Sequence, residues 1–308
     1  MTWRCVIAQP DQLGESPFWH RDEGLLYWVD IPARQVRRAD PASGSVESWA
    51  MPSEPGCIAP VRGGGLVLAL RDGVYRAGSW GAALVPVAHF SHDVATTRFN
   101  DGKADPLGRF WAGTMYEPRD ARKARLYSID LRACNGNGGK PLVGLKADDA
   151  IIANGLAWSP DARTLYWADT PNHVIHAWDW EGQGNVMSRR RVFQQFAGKP
   201  DGWQPGQPGY GGRPDGAAVD IEGNYWCAMF EGGRVLKFAP EGQLLAEFPL
   251  PVRCPTMPCF GDADLKTLYV TSASYNRPAG ELKALPHSGC VMAMRVDVPG
   301  LPVNFVSD

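Results

Sequence analysis

The sequence predicts an all-β fold: a six-bladed β-propeller of four-stranded antiparallel blades around a central channel. Three observations predict it. A two-strand signature recurs along the whole chain; its type example runs Ile151-Ile152-Ala153-Asn154-Gly155-Leu156-Ala157-Trp158, turns at Ser159-Pro160-Asp161, and continues as Leu165-Tyr166-Trp167-Ala168-Asp169. The repeats follow one another at about 40–60 residues, the interval of a propeller blade. Finally, 35 Gly and 26 Pro fall between short apolar runs without a collagen-like period, and the 12 Trp sit in strand-like segments. No segment carries a sustained helical period with caps.

Taken in order, the first unit is Gly14-Glu15-Ser16-Pro17-Phe18-Trp19, a turn at 21–24, and Leu25-Leu26-Tyr27-Trp28-Val29-Asp30. The strands Gln35–Arg38 and Val46–Trp49 complete it. The second unit holds Cys57–Pro60, Leu66-Val67-Leu68-Ala69-Leu70 and Gly73–Tyr75. The third begins Arg98-Phe99-Asn100-Asp101-Gly102, passes Phe110–Met115 and reaches Leu126–Asp130. The type example, extended by Val174–Trp178, is the fourth. Arg213-Pro214-Asp215-Gly216, Tyr225–Met229 and Arg234–Phe238 form the fifth, and Pro255–Phe260, Leu268–Ser272 and Val291–Met294 the sixth. The repeats share one architecture, so residues 1–308 are expected to be a single domain. Closing the ring requires Val6-Ile7-Ala8 to add an outer strand to the blade holding the C-terminal segment. The Gly/Pro/Gln-rich insertion Lys199–Gly212 is the longest expected stretch without strands, and it is placed over part of the channel mouth.

Composition excludes several function classes. A net charge of -2 offers no basic field for nucleic acid. The one basic run, Arg189-Arg190-Arg191, reads as a solvated blade edge. No apolar run approaches bilayer length and the N-terminus is too short and polar for a signal peptide. Seven scattered Cys without a CxxC pair suit reduced thiols and a cytoplasmic location. The six His show no metalloprotease spacing and read as surface or loop residues; GxSxG, P-loop and dinucleotide motifs are missing as well.

Registering the units gives a candidate site. Glu15 lies 13 residues before Trp28, Asn100 11 before Trp111, Asn154 13 before Trp167 and Asp215 11 before Trp226. Each thereby opens an innermost strand, and innermost strands line the channel in one direction, so the four side chains converge at one mouth. Any one Asn-Gly or Asp-Gly pair would read as a turn. Glu is a poor turn former, and the shared register favours a site. Carboxylates with an amide oxygen are hard donors suited to Ca²⁺, Mg²⁺ or Mn²⁺.

The motifs Leu13-Gly14-Glu15-Ser16-Pro17, Arg98-Phe99-Asn100-Asp101-Gly102, Gly108–Met115, Asn154–Asp161 and Pro214-Asp215-Gly216 together resemble the successive signatures of the senescence marker protein (regucalcin)/gluconolactonase family, in order and over nearly the whole chain. The resemblance implies one divalent metal on the propeller axis and hydrolysis of a sugar lactone to its aldonic acid. Carried over by motif, Glu15, Asn154 and Asp215 are the metal ligands, and Arg98, Asn100 and Glu117 line the substrate pocket. Asp215 is the candidate general base. Ca²⁺ is the first choice of ion, with Zn²⁺, Mn²⁺, Mg²⁺ or Fe²⁺ as alternatives. Arg98 pairing with Glu117 for purely structural reasons stands beside its substrate role. A non-catalytic calcium-binding propeller is the alternative function. Pro200-Asp201-Gly202 in the insertion mimics the fifth signature, but only Asp215 is followed by an apolar strand and a Gly223-Asn224 hairpin turn. Asp262 departs from the family's usual glycine.

Overall fold

In the computed structural model, described for residues 2–135 and 139–308, six four-stranded antiparallel sheets form the ring. The innermost strands are Gly14–His20, Pro55–Pro60, Thr97–Ala104, Ala153–Trp158, Arg213–Val219 and Pro255–Gly261. In five blades the chain steps outward through four consecutive strands. The sixth is completed by Arg4–Ile7, which pairs antiparallel with Val291–Arg295. The ring is thus closed by the beginning of the chain, as expected.

The apolar residues divide into six clusters, one at each seam between neighbouring blades. Blade 2 shows why the strands read as unbroken apolar runs. Leu66, Leu68 and Leu70 pack towards Phe18 and Tyr27 of blade 1, while Val67 and Ala69 pack towards Phe99 and Phe110 of blade 3. Both faces of a middle strand are covered by other blades, so neither can be polar. Trp28, Trp111, Trp167 and Trp226, the residues used to register the repeats, all lie fully within these seams. Three of their indoles donate to buried aspartates: Trp28 to Asp11 at 2.8 Å, and Trp111 to Asp105 and Trp226 to Asp220, each at 2.9 Å. The large rings thereby bury their N–H without loss.

The far mouth of the channel is crossed by the last ten residues. Gly300 pairs with Asp220 of blade 5, Val306 pairs with Val61 of blade 2, and Ser307 donates to the carbonyl of Gly108 in blade 3 at 2.9 Å. This tail encloses a cavity of about 250 Å³ bordered by Lys103, Met257 and Leu301. That cavity contains none of the predicted site residues.

Two expectations need correction. Residues 274–290 form an excursion longer than the 199–212 insertion, and it includes a six-residue helix, Ala279–Ala284, that no capping side chain announces. Nor are all the histidines surface or loop residues. His20 is buried at the end of an inner strand; His173 is a loop residue as expected, though a buried one, with Nε2 2.7 Å from the Tyr210 hydroxyl of the insertion. The basic run behaves as expected on an outer edge strand, paired with Asp149 and Asp179. All seven thiols are free.

The inner strands approach closely enough to constrain side-chain size. A Cβ added to Gly56 would lie 2.4 Å from the backbone carbonyl of Phe99 in the next blade. Gly56→Ala therefore lowers stability by about 1–3 kcal/mol, the usual cost of overpacking. An unchanged melting temperature in a thermal scan would show that the ring is slacker than described.

Candidate metal centre

Each inner strand carries an irregularity in its pairing with the second strand, and it sits at the same mouth in every blade. Glu15 pairs with Val29 and Asn154 with Ala168, just before the irregularity. The residues that follow, Ser16 and Gly155, take left-handed φ values of 51° and 61°. In blades 3 and 5 the corresponding pairs are Phe99 with Thr114 and Pro214 with Met229, so Asn100 and Asp215 lie one residue further along. The four positions therefore share a mouth but not one register. The 13- and 11-residue spacings differ because Trp111 and Trp226 sit deeper in their hairpins than Trp28 and Trp167. Ser16 adopts a conformation favoured by glycine, and its hydroxyl accepts from the Ile58 N–H at 3.0 Å, tying blade 1 to blade 2.

The amides and arginine form one connected set. Asn100 Nδ2 donates to Asn154 Oδ1 and to the Ala153 carbonyl, both at 2.9 Å. Asn154 Nδ2 donates to Thr170 Oγ1 at 2.8 Å, and Thr170 donates in turn to the Pro214 carbonyl at 2.7 Å, next to Asp215. This chain fixes the Asn154 amide with its oxygen on the Asn100 side. Arg98 donates to Asn100 Oδ1 and to the Phe99 carbonyl, each at 2.8 Å.

The two carboxylates have no such partners. Glu15 is 6% exposed and Asp215 5%, and among the described residues no lysine or arginine comes within ion-pair distance of either. Burial pushes Glu15 well above the ordinary carboxyl range, and the nearby Asp215 and Asp101 push it further, against a pull from Arg98. Burial likewise raises Asp215, opposed by Arg213 and Arg98 and reinforced by Asp101. Two buried like charges held together are a standing cost. A divalent cation would remove it, and the donors present, two carboxylates and an amide oxygen, fit a hard ion.

Glu117 is placed at the rim rather than in the channel. Its carboxylate is gripped by Arg71 at 2.9 and 3.1 Å, and Arg98 stands off at 3.7 Å. Arg71 therefore shares with Arg98 the structural pairing to Glu117, as the closer partner of the two. Arg98 remains aimed into the site.

The comparisons with known proteins bear on this mouth. The family described as SMP-30/Gluconolactonase/LRE-like region matches residues 13–274. The chain belongs to this family. It is 44% identical over 299 residues to a 6-deoxy-6-sulfogluconolactonase of Pseudomonas putida, covering 97% of this chain and 96% of that one. It is 33% identical to regucalcin of Danio rerio over 97% and 96% of the two chains. Among solved structures, a calcium-binding regucalcin of Agrobacterium tumefaciens superposes with a TM-score of 0.88 at 25% identity, covering 99% and 97% of the chains. A Xanthomonas campestris gluconolactonase, at 22% identity, has a TM-score of 0.70 over 97% and 89% and shares the fold.

Sequence reasoning misses several members of the site. Asp101 reads as part of a turn, yet it is buried close to Glu15 and Asp215. Its Oδ2 accepts the Leu156 N–H at 2.8 Å, and its Oδ1 has no partner among the described residues. Lys103, two residues on, is half-buried and donates to the Ala217 carbonyl. The three polar residues Asn100, Asp101 and Lys103 within four positions of a strand already predicted to line the channel are the signal that could have found both. Thr170, in a short 3-10 turn outside the repeat, leaves no signal. The insertion folds down beside the site: Trp203 and Tyr210 pack together over Lys199, which joins Arg213 and Arg277 around buried Glu231.

Thr170 holds the Asn154 amide and is not itself one of the candidate ligands. Thr170→Val should weaken divalent-metal binding about 10–100-fold, as loss of a supporting hydrogen bond does elsewhere, while the protein still folds. Calorimetric titration with Mn²⁺ measures it, and an affinity equal to wild type would remove Thr170 from the site.

Proposed function

We propose that this chain hydrolyses a sugar lactone to its aldonic acid with a divalent cation held by Glu15, Asn154 and Asp215. The carrying observation is the pair of buried carboxylates, Glu15 and Asp215, with no cationic side chain at ion-pair distance among the described residues and an oriented amide beside them. The lactonase assignment stands on the family match over residues 13–274 and on the 44% identical lactonase relative. Ca²⁺ is the ion we favour: the donors are all oxygen, and a structural relative is named as calcium-binding. Zn²⁺, Mn²⁺, Mg²⁺ and Fe²⁺ are the alternatives that metal exchange would separate.

Bound there, the cation would supply Lewis-acid polarisation of the lactone carbonyl and a water of lowered pKa. The protein's own share is positional and protolytic. Asp215 accepts the proton from the attacking water as its oxygen bonds to the carbonyl carbon. When the tetrahedral adduct collapses, the ring C–O bond breaks and that proton passes from Asp215 to the departing ring oxygen. Arg98, braced by Asn100 and the Phe99 carbonyl, presents a fixed guanidinium to the sugar. Glu117, locked by Arg71, offers an acceptor at the rim for hydroxyl groups.

We further assign the lactone an anionic group remote from the carbonyl, a sulfonate by analogy with the Pseudomonas putida relative. Supporting this, Arg119 is exposed, has no ion-pair partner among the described residues and lies near the like-charged Arg213. Two guanidiniums that repel each other at a rim are relieved by an anion bound between them. The insertion 199–212 anchors this side of the mouth through Lys199 and Tyr210 and narrows substrate choice there.

At saturating metal, Asp215→Asn loses about a hundredfold or more in kcat, the range for a lost general base, and Glu15→Gln loses less. Removing the free guanidinium (Arg119→Ala) raises KM for 6-deoxy-6-sulfogluconolactone about tenfold or more, the cost of one charged hydrogen bond, and leaves KM for gluconolactone unaltered. Exhaustive chelation abolishes turnover. Hydrolysis that survives chelation would overturn the mechanism; metal binding without any lactone turnover would favour the non-catalytic calcium-binding reading; and equal effects of Arg119→Ala on both lactones would remove the sulfonate assignment.

A further inference from the structure

A second convergence of metal-binding side chains lies at the outer end of the last blade, apart from the channel. Cys5, His287 and Cys290 each present one ligand atom, and the three atoms lie within 4.8 Å of one another. They come from two distant parts of the chain. Cys5 is on the closing strand Arg4–Ile7, opposite Met292, at the point where its pairing with Val291–Arg295 slips. His287 and Cys290 stand on the turn that leads into that partner strand.

The turn is rigid. Ser288 N–H and Cys290 N–H donate to the carbonyls of Leu285 and His287 at 3.0 and 2.9 Å. Gly289 N–H donates to Ser272 Oγ at 3.0 Å, and its carbonyl accepts the Asp11 N–H at 2.9 Å. Gly289 has φ +87°, and a Cβ there would meet the Asp11 carbonyl at 2.4 Å, so glycine is required. The two thiols make long contacts to backbone carbonyls, Cys5 to that of Ile7 at 3.6 Å and Cys290 to that of Ala8 at 3.5 Å, and lie beside each other. Cys290 is buried, Cys5 half-buried and His287 exposed, which leaves a way in from solvent.

We propose that Cys5, His287 and Cys290 bind a thiophilic divalent cation, Zn²⁺ by donor chemistry, that clips the first strand of the chain onto the last blade. With bonds of about 2.3 Å to sulfur and 2.0–2.1 Å to nitrogen, tetrahedral Zn²⁺ needs its ligand atoms under roughly 4 Å apart, within a small side-chain adjustment of the observed cluster. Water takes the fourth position. This ion is chemically separate from the one at the channel mouth, where every donor is oxygen. Its role is structural: a ring closed by one four-residue strand opens most easily there, and a cross-link between its two ends opposes that opening.

Co²⁺ distinguishes the two sites, because only thiolate ligands give an intense charge-transfer band in the near ultraviolet. Reduced full-length protein titrated with Co²⁺ should develop that band at one equivalent, and Zn²⁺ should bleach it. Glu15→Gln keeps the band, Cys5→Ser abolishes it, and His287→Ala, at an exposed position, weakens Co²⁺ binding at this site at least about tenfold. Zn²⁺ at about a hundredfold excess over its Kd should raise the wild-type melting temperature by about 5–10 °C, an increment absent from Cys5→Ser. No thiolate band, a band retained in both Cys5→Ser and His287→Ala, or a Cys5–Cys290 disulfide isolated under reductant would each overturn the proposal.

Discussion

The structure is organised around two carboxylates that repel each other. Glu15 and Asp215 come from blades 1 and 5, yet both are buried at one mouth with Asp101 close by. A folded protein avoids that arrangement unless a cation completes it. Everything near the mouth serves to hold the oxygens there. The pairing irregularity of each inner strand lies beside them, the Asn100–Asn154–Thr170 chain aims the amide, and the six seams keep the strands from drifting apart. The propeller makes this tolerable, because the stability that offsets the repulsion comes from seams remote from the site.

Much of this was legible in the sequence. Trp28, Trp111, Trp167 and Trp226 each lie in a seam on the second strand of their repeat, Trp28 and Trp167 against the preceding blade and Trp111 and Trp226 against the following one, and large aromatic residues recurring at such an interval are the mark of stacked units. Counting back from them places Glu15, Asn100, Asn154 and Asp215 at one mouth. The count holds for the mouth and is off by one residue in register for Asn100 and Asp215, because no spacing reveals where a strand slips against its partner. Single-copy features stay hidden. Thr170, the helix Ala279–Ala284 and buried His173 lie in excursions between strands, where a repeat offers nothing to compare. Asp101 escapes notice for another reason: before a glycine, an aspartate reads as a turn residue, and only the fold shows that it is buried near the other two acids.

The rim carries features beyond the shared ligand set. Arg71 and Arg98 both pair with Glu117, and Arg98 also holds Asn100; Arg213 shares Glu231 with Lys199 and Arg277, while Arg119 beside it has no acid of its own among the described residues. The insertion 199–212 docks on that side through Trp203 and Tyr210. Specificity would thus be set by a cationic edge built on one side of the ligand set. At the outer end of the last blade, the closing strand, the turn 285–290 and three soft donors form a separate unit whose chemistry shares nothing with the channel.

The central claim is that Glu15, Asn154 and Asp215 hold one cation. The most direct measurement is anomalous diffraction from crystals equilibrated with Mn²⁺, recorded on either side of the manganese absorption edge. One strong anomalous peak is predicted on the channel axis, in contact with both carboxylates and the Asn154 amide oxygen. A channel mouth without an anomalous peak at saturating Mn²⁺, or a peak that contacts neither Glu15 nor Asp215, would contradict it.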